Sequence, residues 1–163
     1  MPVVIKSIIP GLMRYKDMTA VLQAHSFKAG EGMYKDFQET VKSWKHKVVF
    51  KKALISFTSI EITTTDEIYG YVDQGTKPHV IRPKRPGGML AFASAFSPKT
   101  KPRVLSSGAG HVGPVDTFRQ EVQHPGTEAR EFVDAIFEKW EPAYRKEMEK
   151  AMKDAAKASG HAL

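Results

Sequence analysis

Residues 74–115 contain no aspartate or glutamate, yet carry the basic side chains Lys77, Arg82, Lys84, Arg85, Lys99, Lys101 and Arg103. Ten prolines and glycines interrupt the chain between residues 83 and 114. Proline lacks a backbone donor and glycine favours turns, so this stretch predicts short strands and loops rather than a helix. Acidic and basic residues cancel elsewhere, and the net charge of +7 therefore lies in about one quarter of the chain. We expect a basic arm on a neutral body, which is a contact device rather than an active site.

Length and composition favour a single globular domain over residues 1–163. A chain of 163 residues with 41% hydrophobic and 26% charged residues is large enough to bury a core. Within it we expect an N-terminal segment at 1–26, a loop-rich arm at 83–116 and a frayed tail at 153–163. The lack of cysteine excludes disulfides, thiolate nucleophiles and sulfur-ligated metals.

The sequence predicts neither a signal peptide nor a membrane anchor. Residues Met1–Lys6 lack the basic, then apolar, then small-residue order of a signal peptide. The longest apolar run, Met89–Ala93, is far shorter than the ~18 residues that a membrane span needs. We therefore expect a soluble protein that is intracellular at synthesis and makes no membrane contact.

Hydrophobic periodicity predicts helices before residue 45 and strands after it. Steps of three and four residues predict a short helix after Pro10-Gly11, with Leu12, Tyr15, Met18, Val21, Leu22 and His25 on one face. A second helical face carries Met33, Phe37, Val41 and Trp44. Residues 53–73 alternate, with a slip at Thr58-Ser59 that is compatible with a bulge. We expect an antiparallel hairpin there, whose second strand carries Ile68, Gly70 and Val72.

The remaining patterns predict three short strands and a long helix. The strands are expected at residues 79–82, 89–92 and 117–123. The helix is expected from about Glu128, with Thr127 as its N-cap and an apolar core stripe of Phe132, Ile136, Trp140, Tyr144, Met148 and Met152. Pro142 should kink or split this helix. The class is therefore α+β: an antiparallel sheet of about four to six strands, packed by an N-terminal helix and a long C-terminal helix, with a long basic loop arm.

No motif of catalysis or cofactor binding has the context that its chemistry requires. Residues 108–113 match G-x-G-x-x-G, but Pro114 follows at once and no strand-helix-strand repeat surrounds the motif. His79, His111 and His124 lack a spacing that is diagnostic of a metal site. No G-x-S-x-G motif is present. We therefore predict a non-enzymatic protein with no catalytic, cofactor-binding or metal residues, and no cofactor.

The basic arm also contains an apolar patch formed by Met89, Leu90, Phe92 and Phe96. Its lysines and arginines suit either DNA phosphates or an acidic face of a neighbouring protein, or they are simply solvated. No aromatic ladder interleaves the charges, so base stacking is not indicated. The apolar patch favours protein–protein contact over the other two alternatives.

Several short motifs in a fixed order resemble one family of tailed-phage proteins. Residues 73–84 contain acid-x-Gly-Thr followed by His-x-Ile-x-Pro-Lys. Leu90-Ala91-Phe92 comes next, and residues 124–132 open with His-Pro-Gly-Thr and end in Phe. In this order the motifs, which span residues 69–137, are similar to small neck or tail-completion proteins, or minor tail components, of long-tailed phages and prophages. Many members carry Pro-x-x-Thr-Gly-x-Leu where this chain has Trp44–Lys51.

The resemblance implies a virion assembly protein that forms ring contacts at the head–tail junction or the tail end. Its partners would be further copies of itself and other neck or tail proteins, with DNA in the channel as an additional contact. It would lie in the virion, and in the host cytoplasm during assembly. The resemblance also implies positive φ angles at Gly75 and Gly126, with Thr76 and Thr127 bonded to nearby backbone at the base of the arm. The alternative is a small basic DNA-binding protein that uses residues 77–103.

Overall fold

A computed structural model describes residues 15–159. The start of the predicted first helix, before Tyr15, and the end of the predicted tail lie outside the described residues. The chain belongs to the α+β class, as predicted. In chain order the elements are α1 (Tyr15–Val41), β1 (Lys51–Ser56), β2 (Ser59–Thr63), α2 (Glu67–Gln74), β3 (His79–Ile81), β4 (Leu90–Phe92), β5 (Phe96–Ser97), β6 (His111–Val112), β7 (Thr117–Arg119), β8 (Val122–His124) and α3 (Phe132–Ala158). None of the three described helices is long and apolar enough to span a bilayer.

The described chain divides into two compact units. Residues 15–32, 52–62 and 140–159 form one, here called the helical unit, and residues 33–51 and 63–139 form the other, here called the ribbon unit. The helical unit buries Leu22, Ala29, Ala151, Ala155 and Ala156. The ribbon unit buries Phe50, Tyr69, Phe132 and Ile136.

Two glycines let α1 approach its neighbours closely in the helical unit. A methyl group on Gly32 would lie within 3.0 Å of the Trp140 ring, and one on Gly30 within 3.0 Å of the Ile60 side chain. Glycine costs about 1 kcal/mol in a helix interior, and these contacts explain why α1 continues through both. The expectation of two separate helical segments is therefore wrong, because α1 is a single helix of 27 residues.

β1 and β2 form a two-stranded sheet in the helical unit. The slip in alternation reflects a turn at Phe57-Thr58 rather than a bulge. Two hydroxyl groups hold this turn: Ser26 donates to the Phe57 carbonyl at 3.1 Å, and Tyr144 donates to the Thr58 carbonyl. Ser26 is fully buried, so its hydrogen bond offsets the cost of removing a hydroxyl group from water.

Residues 67–74 form helix α2, so the predicted strand through Ile68, Gly70 and Val72 is wrong. Apolar residues at positions 68 and 72 fit a helical step of four as well as an alternation, and eight residues are too few to separate the two periods. Tertiary burial decides the outcome, because the helix places Tyr69 in the core with 3% of its surface exposed.

Both ends of α2 have capping residues that the sequence analysis did not use. The Asp66 carboxylate accepts the Tyr69 amide at 2.9 Å, and Gly75 ends the helix with φ at +74°. The His46 imidazole also bonds the same carboxylate. That bond, with the cap bond from Tyr69, lowers the pKa of the Asp66 carboxyl group below its usual value.

Gly70→Ala should stabilise the protein. A methyl group at this position in α2 meets no atom within 4 Å. Alanine is more favourable than glycine in a helix by about 0.5–1 kcal/mol, so the free energy of unfolding in urea should rise by that amount. Gly32→Ala is the matched control, and it should lower the free energy because its methyl group meets the Trp140 ring. A loss of stability on Gly70→Ala would contradict the helical assignment of residues 67–74.

An aromatic cluster forms the core of the ribbon unit. The Phe50 and Tyr69 rings meet edge to face with centroids 5.1 Å apart, and the Tyr69 centroid lies 6.2 Å from that of Phe132. Phe37 packs 5.4 Å from Phe50, and Trp44 packs 6.1 Å from Tyr69. Burial raises the pKa of the Tyr69 hydroxyl group. These rings join the end of α1, α2 and the start of α3, and Trp44 is half-buried within the cluster.

Residues 76–127, here called the ribbon, fold back on themselves as pairs of short antiparallel strands. β3 pairs with β8, β4 with β7, and β5 with β6. Residues 15–159 therefore contain four two-stranded sheets in place of the single sheet of four to six strands that we expected. Prolines and glycines interrupt the strands, so no ladder is long enough to recruit a third strand.

Helix α3 begins at Phe132 and not near Glu128, so the predicted start and its N-cap at Thr127 are wrong. Thr127 instead pairs with Thr76, and Asp73 from α2 accepts the Val133 amide at 3.1 Å. The helix is not split at Pro142 and continues to Ala158. Its apolar stripe is graded: Phe132 and Ile136 are buried, Trp140, Tyr144 and Met148 are half-buried, and Met152 is exposed.

Candidate interaction site

The base of the ribbon is closed by reciprocal hydrogen bonds between Thr76 and Thr127. The Thr76 amide donates to the Thr127 carbonyl at 2.9 Å, and the Thr127 amide donates to the Thr76 carbonyl at 3.1 Å and to the Thr76 hydroxyl at 2.9 Å. Gly75 and Gly126 flank this bridge with φ angles of +74° and +91°. The implied positive φ angles and the backbone bonding are both confirmed, and they make the base a rigid turn pair.

His79 and His124 are brought together by the ribbon, whereas His111 is not. His79 and His124 face each other in the β3–β8 register, with ring centroids 5.0 Å apart. The His79 Nδ1 donates to the Lys77 carbonyl at 2.8 Å, and the His124 Nδ1 accepts the Gly126 amide at 3.1 Å. His111 lies opposite Ser97 in the β5–β6 pair. Within residues 15–159 no group of three or more His, Asp or Glu side chains is placed to hold a metal ion.

Asp116 ends the acid-free stretch and joins the two sides of the ribbon. Its carboxylate accepts the Ser94 amide at 2.8 Å and also the Ser94 hydroxyl. These bonds to Ser94 lower the pKa of the Asp116 carboxyl group. The side-chain bonds replace ladder bonds in the gap between β4–β7 and β5–β6, and thereby keep the ribbon continuous.

The tip of the ribbon folds back onto the residues that precede α3. Arg130 is buried, and its Nε donates to the Thr100 hydroxyl at 3.2 Å while its carbonyl accepts the Arg103 amide at 2.7 Å. The Arg103 guanidinium bonds Glu131 at 3.0 Å and also bonds Glu138. We call these five residues the clasp. Glu131 and then Glu138 raise the pKa of Arg103, so this guanidinium stays charged.

Two residues of the clasp hold unusual backbone angles. Arg103 has φ at +58° and Glu131 has φ at +51°, a region that costs about 1–2 kcal/mol for a residue other than glycine. Sequence reasoning assigned no role to Arg130 or Glu138. The sequence did carry one signal for these ion pairs: acidic residues return directly after the basic arm, so the charge of the chain changes sign there.

The structure separates the seven basic residues of the arm into two groups. Arg82 pairs with Glu121 at 2.7 Å, and Arg103 belongs to the clasp. The others are exposed and form no ion pair within the described part of the chain, namely Lys77, Lys84, Arg85, Lys99 and Lys101. Within the described residues the arm therefore presents five cations without an ion pair, and its two paired arginines hold its shape.

The ribbon exposes more apolar surface than the predicted patch. Of that patch, Met89 and Phe96 are 58% and 66% exposed, whereas Leu90 and Phe92 are half-buried. Five further large apolar side chains of the ribbon are exposed, namely Val80, Val104, Val112, Val115 and Phe118. The exposure of these five side chains was not predicted, because a sequence pattern does not show which face of a two-stranded ribbon is covered by other parts of the protein.

A groove of about 760 Å³ lies between the folded tip and the base within the ribbon unit. Its apolar lining comes from Trp44, Ile68, Val72, Phe96, Pro98, Val112 and Pro125. Its ionisable lining comes from Lys45, His46, Lys99, His124, Glu128 and Arg130. Glu128 bonds Arg130 at 3.1 Å, and His46 bonds Asp66, so Lys45 and Lys99 are the unpaired charges of the groove within the described residues.

Arg103→Ala should loosen the tip of the ribbon without unfolding the unit. The variant removes both ion pairs of the clasp, so hydrogen exchange of amides in residues 98–108 should become about threefold to tenfold faster. Arg82→Ala is the matched control, since it removes an exposed ion pair elsewhere on the ribbon. Equal exchange at 98–108 in both variants would show that the clasp does not hold the tip.

No protein-family model, no curated protein and no solved structure matches this chain. The assignment of a function therefore depends on its own residues and geometry.

Proposed function

We propose that the protein is a non-enzymatic virion assembly subunit of the neck or tail-completion type, which forms ring contacts at a head–tail junction or tail end. The observation that carries this proposal is the exposed apolar surface of the ribbon, which includes Met89, Phe96, Val112 and Phe118. Phe96 and Val112 are partners in the β5–β6 pair, so at least these two exposed side chains are neighbours, and exposed apolar patches mark interaction sites. The ordered motifs of residues 69–137, which resemble those of phage neck and tail-completion proteins, support the proposed kind of assembly.

The geometry of the ribbon supports a structural role. The Thr76–Thr127 bridge and the clasp hold both ends of the ribbon, so an approaching subunit meets a surface that is already ordered. A pre-ordered surface loses less conformational entropy on binding. Other neck or tail proteins and further copies of this chain are the proposed partners, in the host cytoplasm during assembly and afterwards in the virion.

The test is electron microscopy of a lysate in which the producing phage or prophage has this gene stopped early. We expect filled heads separate from free tails, or tails of aberrant length. Intact, infectious particles would exclude a neck or tail-completion role.

Complementation of that lysate should localise the function to the ribbon. Phe118→Asp should fail to restore particles, because it places a charge on a side chain of the ribbon that is 56% exposed. Ile55→Asp is the matched control: Ile55 is 67% exposed but lies in the helical unit, so this variant should restore particles. Restoration by both variants would remove the ribbon from the proposal.

The five free cations of the ribbon favour a second candidate, a small DNA-binding protein. Binding through phosphate contacts weakens steeply with salt, by a slope of about −0.9 per contacted phosphate in a plot of log affinity against log salt. Under this alternative the double change Lys84→Ala and Arg85→Ala should reduce the slope by about 2, whereas Lys35→Ala, outside the ribbon, should leave it unchanged. A wild-type protein that is not retained on duplex DNA at low salt would exclude this alternative.

A further inference from the structure

The groove of the ribbon unit has the chemistry of a receptor for an apolar segment that carries carboxylates. Its walls include Trp44 and Ile68, together with Phe96 and Val112 of the β5–β6 pair. Ile68, Phe96 and Val112 are 48%, 66% and 68% exposed, so these walls are not covered within the described chain. The volume of about 760 Å³ falls in the range of sites that bury most of a small ligand.

The polar side chains of the groove favour a negatively charged binding partner. Lys45 and Lys99 are exposed and form no ion pair within the described residues. Glu128, the acidic residue of the lining, is neutralised by Arg130 at 3.1 Å. The Ser43 hydroxyl also lines the groove and is buried without a hydrogen-bond partner in residues 15–159. An occupant with a carboxylate and a further polar group would pair with a lysine of the groove and bond the Ser43 hydroxyl.

The first turns of α3 carry a surface of complementary chemistry. Val133 and Phe137 are four residues apart on one helical face and are 43% and 62% exposed. Asp134 is exposed beside them and has no ion pair within the described residues. This face joins two large apolar side chains to a free carboxylate, and every copy of the chain carries both this face and the groove.

We propose that the groove of one copy receives the Val133–Phe137 face of a second copy, with Asp134 placed against Lys45 or Lys99. The contact is head-to-tail, because two different surfaces meet, and such contacts build rings when the rotation closes. This inference rests on the proposed function in one respect: it specifies the contact between copies in the assembled ring. Unlike the assembly role, the contact between copies can be measured on the purified chain.

Sedimentation equilibrium of the full chain over a range of concentrations tests the contact. The wild-type chain should associate, whereas Val112→Asp in the groove and Phe137→Asp on the α3 face should each weaken association at least about 30-fold. Both positions are more than half exposed, and circular dichroism should show unchanged folding. Ile55→Asp is the control outside both surfaces and should associate like the wild type.

Mixing the two variants gives the decisive measurement. Val112→Asp keeps its α3 face and Phe137→Asp keeps its groove, so a head-to-tail contact predicts 1:1 pairs that do not grow further. A mixture that stays monomeric would overturn the proposal, as would association that survives in either variant alone. Lys99→Glu or Lys45→Glu should weaken association, and Asp134→Lys should restore it when combined with one of the two. Failure of the rescue at both lysines would remove Asp134 from the contact.

The outcomes also distinguish this inference from the proposed function. A wild-type chain that stays monomeric at every concentration overturns the copy-to-copy contact, while the stopped-gene lysate still decides the assembly role. If the wild-type chain is monomeric but its Val112→Asp variant fails to restore particles, another protein occupies the groove. That result would equally overturn the proposal that a second copy is the occupant. Association in solution with intact particles from the stopped-gene lysate would retain the contact and exclude the function.

Discussion

Phe132→Ala should lower the free energy of unfolding by about 3–5 kcal/mol, the usual cost of truncating a fully buried phenylalanine. Phe132 is 0% exposed, and its ring centroid lies 6.2 Å from that of Tyr69. The substitution leaves a cavity where α3 meets the aromatic cluster, and the surrounding rings cannot close it without moving α2. Urea denaturation followed by circular dichroism measures the change.

Phe137→Ala is the matched control for this prediction. It makes the same chemical change five residues later in the same helix, at a side chain that is 62% exposed. Its effect on stability should stay within about 0.5 kcal/mol. Losses of equal size in the two variants would mean that the start of α3 is not anchored by the aromatic cluster.

Gly126→Ala should lower the free energy of unfolding by about 3 kcal/mol, from two separate costs. Its φ of +91° is unfavourable for any residue with a Cβ atom, by about 1–2 kcal/mol. The new methyl group would also lie within 3.0 Å of the Thr76 carbonyl oxygen, and overpacking of this kind adds about 1–3 kcal/mol. Because that oxygen accepts the Thr127 amide, relief of the clash requires the base of the ribbon to open.

Gly87→Ala separates the two costs of the Gly126 substitution. Gly87 also has a positive φ, +73°, but a methyl group there meets no atom within 4 Å. It should therefore lose only the conformational part, about 1–2 kcal/mol. Hydrogen exchange of the Thr76 and Thr127 amides should rise in Gly126→Ala alone. Similar results for both variants would show that close packing at the bridge does not matter.

The position of Gly126 gives this prediction a consequence for assembly. The bridge between Thr76 and Thr127 determines where both sides of the ribbon leave the body of the ribbon unit. A base that opens would release the groove wall formed by β5 and β6, since these strands belong to the same ribbon. We therefore expect Gly126→Ala to weaken association between copies as well as stability, whereas Gly87→Ala should leave association intact.

Several features of the fold were predictable because they depend on residues close together in the chain. The helical periodicity before residue 45 and the short strands at 79–81 and 90–92 follow from local patterns, although one helix stands where two were expected and the strand expected at 117–123 is divided into β7 and β8. The positive φ angles at Gly75 and Gly126, which the resemblance implied, suit residues without a Cβ atom. The motifs that begin at His79 and His124 lie on opposite sides of the ribbon, where the register pairs His79 with His124, a pairing that was not predicted.

Other features were not predictable because they depend on distant partners. Residues 67–74 have a pattern that suits a strand or a helix, and the burial of Tyr69 against Phe50 and Phe132 selects the helix. Thr127 has the chemistry of an N-cap, but the bridge to Thr76 occupies it, and α3 starts four residues after Glu128. In each case a long-range contact outweighs a local preference of about 1 kcal/mol.

The candidate site divides in the same way. Composition alone placed the positive charge in residues 74–115, since charge does not depend on folding. Folding then paired Arg82 and Arg103 with carboxylates and turned the tip of the ribbon back onto Arg130 to create the groove. It left the other five cations of the arm without an ion pair to any described residue. A sequence states which chemical groups a chain carries. The tertiary structure decides which of them meet, because closure of the ribbon brings residues 30 positions apart within hydrogen-bonding distance. Burial then determines which side chains remain available to a binding partner.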